Sequence, residues 1–133
     1  MKKVYPVIIE RADDKSGFGY FVTIPDFDIN TEGKDLPDAV YMARDAIGVT
    51  GLCYEDAKKP LPEATPIEKV KHKKNAVVTL VDVDFTEYRR KNEKRVVKKN
   101  CSLPSWLAFE AEKEHINFSK VLQDALKERL SLD

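Results

Sequence analysis

Residues 94–133, KRVVKKNCSLPSWLAFEAEKEHINFSKVLQDALKERLSLD, decide how the rest of this chain is interpreted. They contain one short basic extended run, then two amphipathic helical patterns separated by a tight break. One strand and two short helices are too few to bury their own apolar side chains. The pattern therefore predicts half of an intertwined dimer, whose core forms only when two copies meet.

The extended run from Val97 to Leu103 alternates in character. Lys98, Asn100 and Ser102 fall on one face, and this face is wholly hydrogen-bonding, whereas the other face is mostly apolar. Pro104 follows and excludes further central strand, but it suits the start of a helix. The alternation predicts a strand with one buried face and one polar face.

Two helices are predicted after this strand. Trp106, Leu107 and Ala111 form the apolar stripe of the first helix, and the pattern breaks at His115. Asn117 is a suitable N-cap for the second helix. The first turn of that helix offers free N–H groups and a positive dipole end, which together predict a phosphate-binding site. Its candidate residues are Asn117, Phe118, Ser119 and Lys120.

Composition limits the remaining classes. The chain has 133 residues, 35% of them charged, and no apolar run near the ~20 residues that cross a bilayer. The acidic residues soon after the N-terminus make a signal peptide an unlikely interpretation, so a cytoplasmic location is expected. Cys53 and Cys101 are predicted to be small buried residues in a reducing compartment. No zinc spacing is present, and no metal or cofactor is predicted.

Charge is distributed unevenly along the chain. Residues 1–70 carry 9 Lys/Arg and 13 Asp/Glu, a net charge of −4. Residues 71–99 carry 10 and 4, a net charge of +6, and residues 100–133 carry 4 and 6, a net charge of −2. The positive charge thus peaks just before and within the predicted strand, where a nucleic-acid-binding segment needs it. On charge alone, a solvated basic linker is an equal alternative.

The first part of the chain has the order β-β-β-α-β, which predicts an α+β domain. Its strands are expected at Val4–Ile9, Tyr20–Ile24, Asp28–Gly33 and Ala76–Phe85, with a turn at 12–19 and a helix whose N-cap is Asp35. Pro6 indicates an edge position or an unpaired N–H, and the last strand is apolar on both faces, which predicts a central position. The predicted boundaries are 1–87 for this domain, 88–94 for a linker and 95–133 for the C-terminal unit.

Residues 94–132 resemble a ribbon-helix-helix domain of the Arc/MetJ/CopG type. The strand ending at Leu103-Pro104 and the segment INFSKVLQDAL (116–126) carry the resemblance. It implies a homodimer whose two strands pair antiparallel in the major groove of operator DNA. The matching base-reading residues are Lys98, Asn100 and Ser102; residues 117–120 are expected to anchor phosphates, with Lys94 and Arg95 as additional basic contacts.

The whole chain resembles a HicB-type antitoxin. The segments GYFVTIPDF (19–27) and DLPDAVYMARDAIG (35–48) carry this second resemblance. It implies a truncated ribonuclease-H-like domain that binds and masks a HicA-type mRNA-cleaving toxin, and a C-terminal domain that dimerises and represses the shared operon. It implies no catalysis. Asp28-Ile29-Asn30 stands where many members have a Pro-Gly-Cys-like turn, so the resemblance assigns no toxin-contacting residues. The sequence also leaves association beyond the dimer unassigned.

Two other functions remain open at this point. A ribonuclease-H-like fold can be a two-metal nuclease, with a DNA-targeting tail in this chain. The candidate carboxylates are Asp26, Asp28, Glu32, Asp45, Asp82 and Asp84. Alternatively, the chain is a ribbon-helix-helix repressor whose first domain senses a small ligand and has no toxin partner.

Overall fold

The computed structural model describes residues 1–13, 15, 17 and 19–132, so Asp14 and Ser16 of the predicted turn lie outside the described residues. The chain divides into two compact units, Met1–Arg95 and Val96–Asp133. None of the helices in the described residues is both long and apolar enough to cross a bilayer. Each unit has its own architecture.

Unit 1 is an α+β unit built on a four-stranded antiparallel sheet with the order β3-β2-β1-β4. The elements are β1 Lys2–Arg11, β2 Tyr20–Ile24, β3 Ile29–Gly33, α1 Leu36–Asp56, β4 Val77–Asp84 and α2 Phe85–Asn92. Short 3₁₀ turns lie at Pro25–Phe27 and Ile67–Lys69. The three predicted N-terminal strands and the helix are confirmed.

The core lies between α1 and one face of the sheet. Alternate residues of each strand point to this face because side chains change sides with every residue. Small residues on α1 let the helix approach the sheet closely. The buried cluster comprises Tyr5, Val7, Ile9, Val22, Ile24, Phe27, Ala39, Ala43, Ile47, Val81, Val83 and Phe85.

The start of α1 is fixed by the cap that the sequence predicts. Asp35 Oδ1 accepts a hydrogen bond from the backbone N–H of Asp38 at 2.9 Å. The Asp38 carboxylate in turn accepts one from the backbone N–H of Lys34 at 2.9 Å. Two acidic side chains thus satisfy backbone donors at the helix start, where the positive dipole end also favours negative charge.

The position predicted for β4 is wrong. β4 lies at an edge of the sheet, and β1 is the strand with neighbours on both sides. Pro6 sits in the half of β1 that has only β4 beside it, because pairing with β2 begins at Ile8. A proline in a central strand is tolerated there, since one side of the strand has no hydrogen-bonding neighbour.

Most of the segment at 88–94, predicted as a linker with at most one helical turn, belongs to α2. α2 packs against α1, and the aromatic rings of Phe85 and Tyr88 lie where Gly51 and Gly48 of α1 have no side chain. Tyr88 Oη donates a 2.7 Å hydrogen bond to the carboxylate of Asp45. Burial raises the pKa of this hydroxyl. The sequence shows no apolar stripe here because only two aromatic side chains of α2 pack on α1, and Arg89 adds a charged contact.

Arg89 joins the end of α1 to the end of α2. Its guanidinium contacts Asp56 at 2.8 Å, Glu55 at 3.3 Å and Glu93 at 2.7 Å. The hydrogen bond from Arg89 is the main cause that holds the pKa of Glu93 below the ordinary range of a glutamate. A lowered carboxyl pKa stabilises the folded state above the ordinary value, and this contribution is lost as the pH falls through the lowered pKa.

We therefore expect Arg89→Met to raise the pKa of the Glu93 carboxyl toward its ordinary value. The physical reason is that the charge-assisted hydrogen bond, which favours the ionised carboxylate, is removed. NMR titration of the Glu93 side chain in the full-length protein measures the change. Arg90→Met is a matched control, because Arg90 pairs with Glu87 instead. Equal Glu93 titrations in wild type and Arg89→Met contradict the assignment.

Unit 2 contains two helices, α3 Ser105–Lys113 and α4 Phe118–Arg129. The chain reverses between them at His115, which has a left-handed backbone conformation with φ of 55°. Residues 93–104 have no regular secondary structure, so the predicted strand is not formed within one chain. The expectation that both cysteines are buried is wrong, because Cys53 and Cys101 are exposed free thiols.

Candidate nucleic-acid interface

The three predicted base-reading residues lie in the irregular segment at 93–104. Lys98, Asn100 and Ser102 are all exposed. A strand is defined by hydrogen bonds to a neighbouring strand, and a single chain provides no neighbour for this segment. The structure therefore leaves the predicted alternation of polar and apolar faces untested, while it leaves all three side chains accessible.

The predicted phosphate-binding turn is a well-formed helix start. Asn117 is the N-cap of α4, as predicted, and its Oδ1 accepts a hydrogen bond from the backbone N–H of Lys120 at 3.1 Å. The backbone N–H groups of Phe118 and Ser119 have no carbonyl partner inside the helix. The Lys120 ammonium lies 3.2 Å from Asp124 Oδ2, an exposed pair of the kind that contributes little and exchanges readily with a phosphate.

The additional basic contacts differ from each other. Lys94 is exposed. Arg95 is exposed too, but its guanidinium contacts Glu93 Oε1 at 2.6 Å. Since Glu93 also binds Arg89, the carboxylate of Glu93 lies between two arginines, at the end of unit 1. Arg95 therefore has a carboxylate partner that a phosphate must replace.

Unit 2 has no core of its own. Within residues 96–132 no side chain is buried, and even Trp106 is 67% exposed. The exposed apolar residues are Val96, Val97, Leu103, Trp106, Leu107, Phe109, Ile116, Phe118, Val121, Leu122, Leu126, Leu130 and Leu132. So large an apolar surface on so few residues is typical of a surface that another chain covers.

The six candidate nuclease carboxylates lie in different parts of unit 1, and four of them bind neighbouring protein groups. Asp26 accepts hydrogen bonds from the backbone and the hydroxyl of Thr65. Asp84 caps α2. Asp45 binds Tyr88, Asp82 binds Arg44, Glu32 is exposed on β3, and Asp28 ends the first 3₁₀ turn. Over residues 1–13, 15, 17 and 19–132, no group of three or more acidic, histidine or cysteine side chains is placed to hold a metal ion.

A cavity of about 320 Å³ lies between α1, β4 and α2. Its lining includes Arg44 and Tyr88, and both already have protein partners, since the Arg44 guanidinium binds Asp82 at 3.2 Å and Tyr88 binds Asp45. These side chains hold the elements of unit 1 together.

The sheet, the long helix and the two-helix second unit recur together in solved structures. The chain superposes with a TM-score of 0.64 on a chain of a toxin–antitoxin complex from Streptococcus pneumoniae, with 24% identity, covering 97% of this chain and 99% of that one. It superposes with a TM-score of 0.54 on the antitoxin HicB of Burkholderia pseudomallei, with 23% identity and coverages of 96% and 98%. These two likenesses show the fold.

Sequence comparison identifies the family. Residues 5–125 match the family described as HicB-like antitoxin of bacterial toxin-antitoxin system, and the chain belongs to this family. It is also 31% identical over 139 residues to an uncharacterised 14.9 kDa protein from the rep–hol intergenic region of Haemophilus phage HP1, across 96% of this chain and 97% of the phage protein. The chain is thus a HicB-like antitoxin.

Proposed function

We propose that this antitoxin binds and masks a HicA-type mRNA-cleaving toxin through unit 1 and, as a homodimer, represses its own operon through unit 2. The observation that carries the proposal is the absence of any buried side chain in residues 96–132. A unit of this size that buries nothing is stable only when a second copy covers its apolar surface.

The proposed DNA contact follows from dimerisation. Two copies of the segment at 97–103 pair antiparallel, so that Lys98, Asn100 and Ser102 of both copies face the major groove. The helix starts at Asn117 then lie beside the phosphate backbone, where the N–H groups of Phe118 and Ser119 and the ammonium of Lys120 bind oxygen. We also propose that unit 1 has the truncated ribonuclease-H-like fold that the resemblance implies.

We propose that unit 1 inhibits the toxin by covering it, because steric masking requires only a binding surface and no reactive groups. The net charge of −4 over residues 1–70 favours association with a basic protein, and a protein that handles RNA is typically basic. Chemistry on the toxin or on RNA requires a set of convergent reactive groups. Four of the six candidate carboxylates, those of Asp26, Asp45, Asp82 and Asp84, instead bind neighbouring protein groups.

Expression of the full-length chain from its operon with a tag tests this function. We expect a small basic protein to purify with it in a fixed ratio and to degrade mRNA when released. A tagged chain that purifies without any such protein favours the ligand-sensing repressor instead. Incubation of the purified chain with labelled RNA and Mg²⁺ or Mn²⁺ tests the nuclease alternative, and cleavage abolished by Asp82→Asn establishes it.

Replacing Leu122 by aspartate is expected to convert the dimer into a monomer, because a charge then enters the apolar surface that two copies of unit 2 share. Sedimentation analysis measures the mass, and mobility shift with operator DNA should show no complex. Lys127→Asp places the same carboxylate on a charged position of α4 and is expected to leave a dimer. A monomeric wild type contradicts the proposed dimer.

A further inference from the structure

Glu93 is a carboxylate held between two arginines at the end of unit 1. Its Oε2 accepts a hydrogen bond from Arg89 at 2.7 Å, and its Oε1 accepts one from Arg95 at 2.6 Å. Its backbone is fixed as well, because Glu93 is the C-cap of α2 and its N–H donates to the carbonyl of Arg89 at 2.8 Å. The carboxylate of Glu93 is thus held at a defined position beside Arg95.

The two arginines differ in how firmly they are held. Arg89 contacts Glu55 and Asp56 in addition to Glu93, and its side chain is 31% exposed. The Arg95 side chain is 73% exposed, and its carboxylate partner within the described part of the chain is Glu93. When Arg95 leaves, Glu93 keeps the hydrogen bond from Arg89, so no carboxylate is left unpaired. Arg95 is therefore the member of the cluster that exchanges readily.

Arg95 lies three residues before Lys98 in the chain. Three residues of fully extended backbone span at most about 11 Å, and the major groove is about 12 Å wide. On the proposed function Lys98 lies in this groove, so the phosphates that border it are within reach of Arg95. A phosphate offers a guanidinium the same kind of anionic oxygen partner as a carboxylate does. Operator DNA and Glu93 therefore compete for one guanidinium.

We infer that Glu93 is an internal competitor for operator phosphate, an autoinhibitory contact that lowers the affinity of the antitoxin for DNA. The inference rests on the proposed function. Hydrogen bonds from Arg89 and from Arg95 lower the pKa of the Glu93 carboxyl, so it competes as an anion at neutral pH. Arg95 must leave Glu93 before it binds a phosphate, and a dimer does so twice. Glu93 thus sets how much antitoxin is needed to occupy the operator.

A double-mutant cycle on the full-length protein tests this contact. Operator affinity is measured by fluorescence anisotropy for the wild type, Glu93→Gln, Arg95→Gln and the double variant, each over a series of salt concentrations. Glu55→Gln is the matched control, because it removes the same charge from the carboxylates that bind Arg89 but leaves the pair of Arg95 with Glu93 in place. Thermal unfolding and dimer mass are recorded for every variant.

We expect Glu93→Gln to bind the operator about 3- to 10-fold more tightly than the wild type, because two exposed ion pairs per dimer no longer have to be broken. Arg95→Gln should weaken binding and lower the slope of log affinity against log salt by about two, since each copy loses one phosphate contact. In the Arg95→Gln background, Glu93→Gln should change the affinity by less than about two-fold, as should Glu55→Gln in the wild type.

Equal effects of Glu93→Gln with and without the Arg95 guanidinium overturn the inference, since the carboxylate then acts only by general repulsion of DNA. A measurement on the wild type is independent of the stability of any variant. The NMR signal of the Glu93 side-chain carboxyl should shift when operator is added, because the hydrogen bond from Arg95 is lost, and an unchanged signal also overturns the inference. A wild type that binds no operator overturns the proposed function with it.

Discussion

Replacing Lys98 and Asn100 together by alanine is expected to abolish operator binding at concentrations that saturate the wild type. A good side-chain contact to a base edge contributes roughly 1–3 kcal/mol to discrimination between bases. A dimer presents each residue twice, so four contacts at about 1 kcal/mol each correspond to about a thousand-fold loss of affinity. Mobility shift with the operator measures the loss, and toxin binding should be unchanged.

Lys99→Ala is the control for this result. It removes the same charge one residue further on, at a position that the predicted alternation places on the opposite face. Compared with Lys98→Ala, it should weaken binding less and leave the sequence preference intact. Equal losses of operator affinity in Lys98→Ala and Lys99→Ala show that the two lysines contribute only their charge to DNA binding. A double Lys98 and Asn100 variant that shifts DNA like the wild type shows that the assigned register is wrong.

The second large effect is expected from Phe85→Ala. Phe85 is 1% exposed, begins α2, and fills the space beside Gly51 on α1. Removing a buried phenylalanine side chain destabilises a protein by roughly 3–5 kcal/mol, because apolar contact is lost and a cavity remains. Urea unfolding followed by circular dichroism should show a less stable unit 1.

Tyr41→Ala serves as the control for the loss of an aromatic ring. Tyr41 belongs to α1 but is 62% exposed, so its removal leaves the buried cluster intact. The free energy of unfolding of the Tyr41→Ala variant should stay within about 0.5 kcal/mol of the wild-type value. If Phe85→Ala is no less stable than Tyr41→Ala, the packing of α2 on α1 contributes little to unit 1.

The sequence was informative where structure depends on neighbouring residues. Asp35 and Asn117 were identified as N-caps because a cap needs only one side chain and a backbone N–H three residues later. β2 was bounded correctly, since Pro25 and Asp26 end it directly. Such features can be predicted from a few neighbouring residues, independently of the rest of the fold.

Structure that depends on distant residues was less accessible. The apolar residues of β4 predicted a central strand, whereas their second face is exposed, because a sequence does not state whether an apolar face meets its own chain or another one. α2 was missed because its contact with α1 needs two glycines and two aromatic rings that lie far apart in sequence.

The residues proposed to face DNA belong to a third case. Alternation at 97–103 is visible in the sequence, but the strand that it predicts requires hydrogen bonds from a second chain. Lys98, Asn100 and Ser102 therefore remain a prediction that the single chain cannot display. The helix start at Asn117 is different because α4 forms all of its hydrogen bonds internally.

Because the two helices of unit 2 have no core of their own, the stability of unit 2 depends on the concentration of the protein. Two copies must meet before either gains stability, so the concentration of the assembled dimer rises with the square of the monomer concentration while that concentration is low. Feedback of this kind has a threshold: a modest fall in antitoxin supply relieves transcription disproportionately. On the proposed function, the absence of a core in unit 2 thus makes repression depend on the antitoxin concentration in the cell.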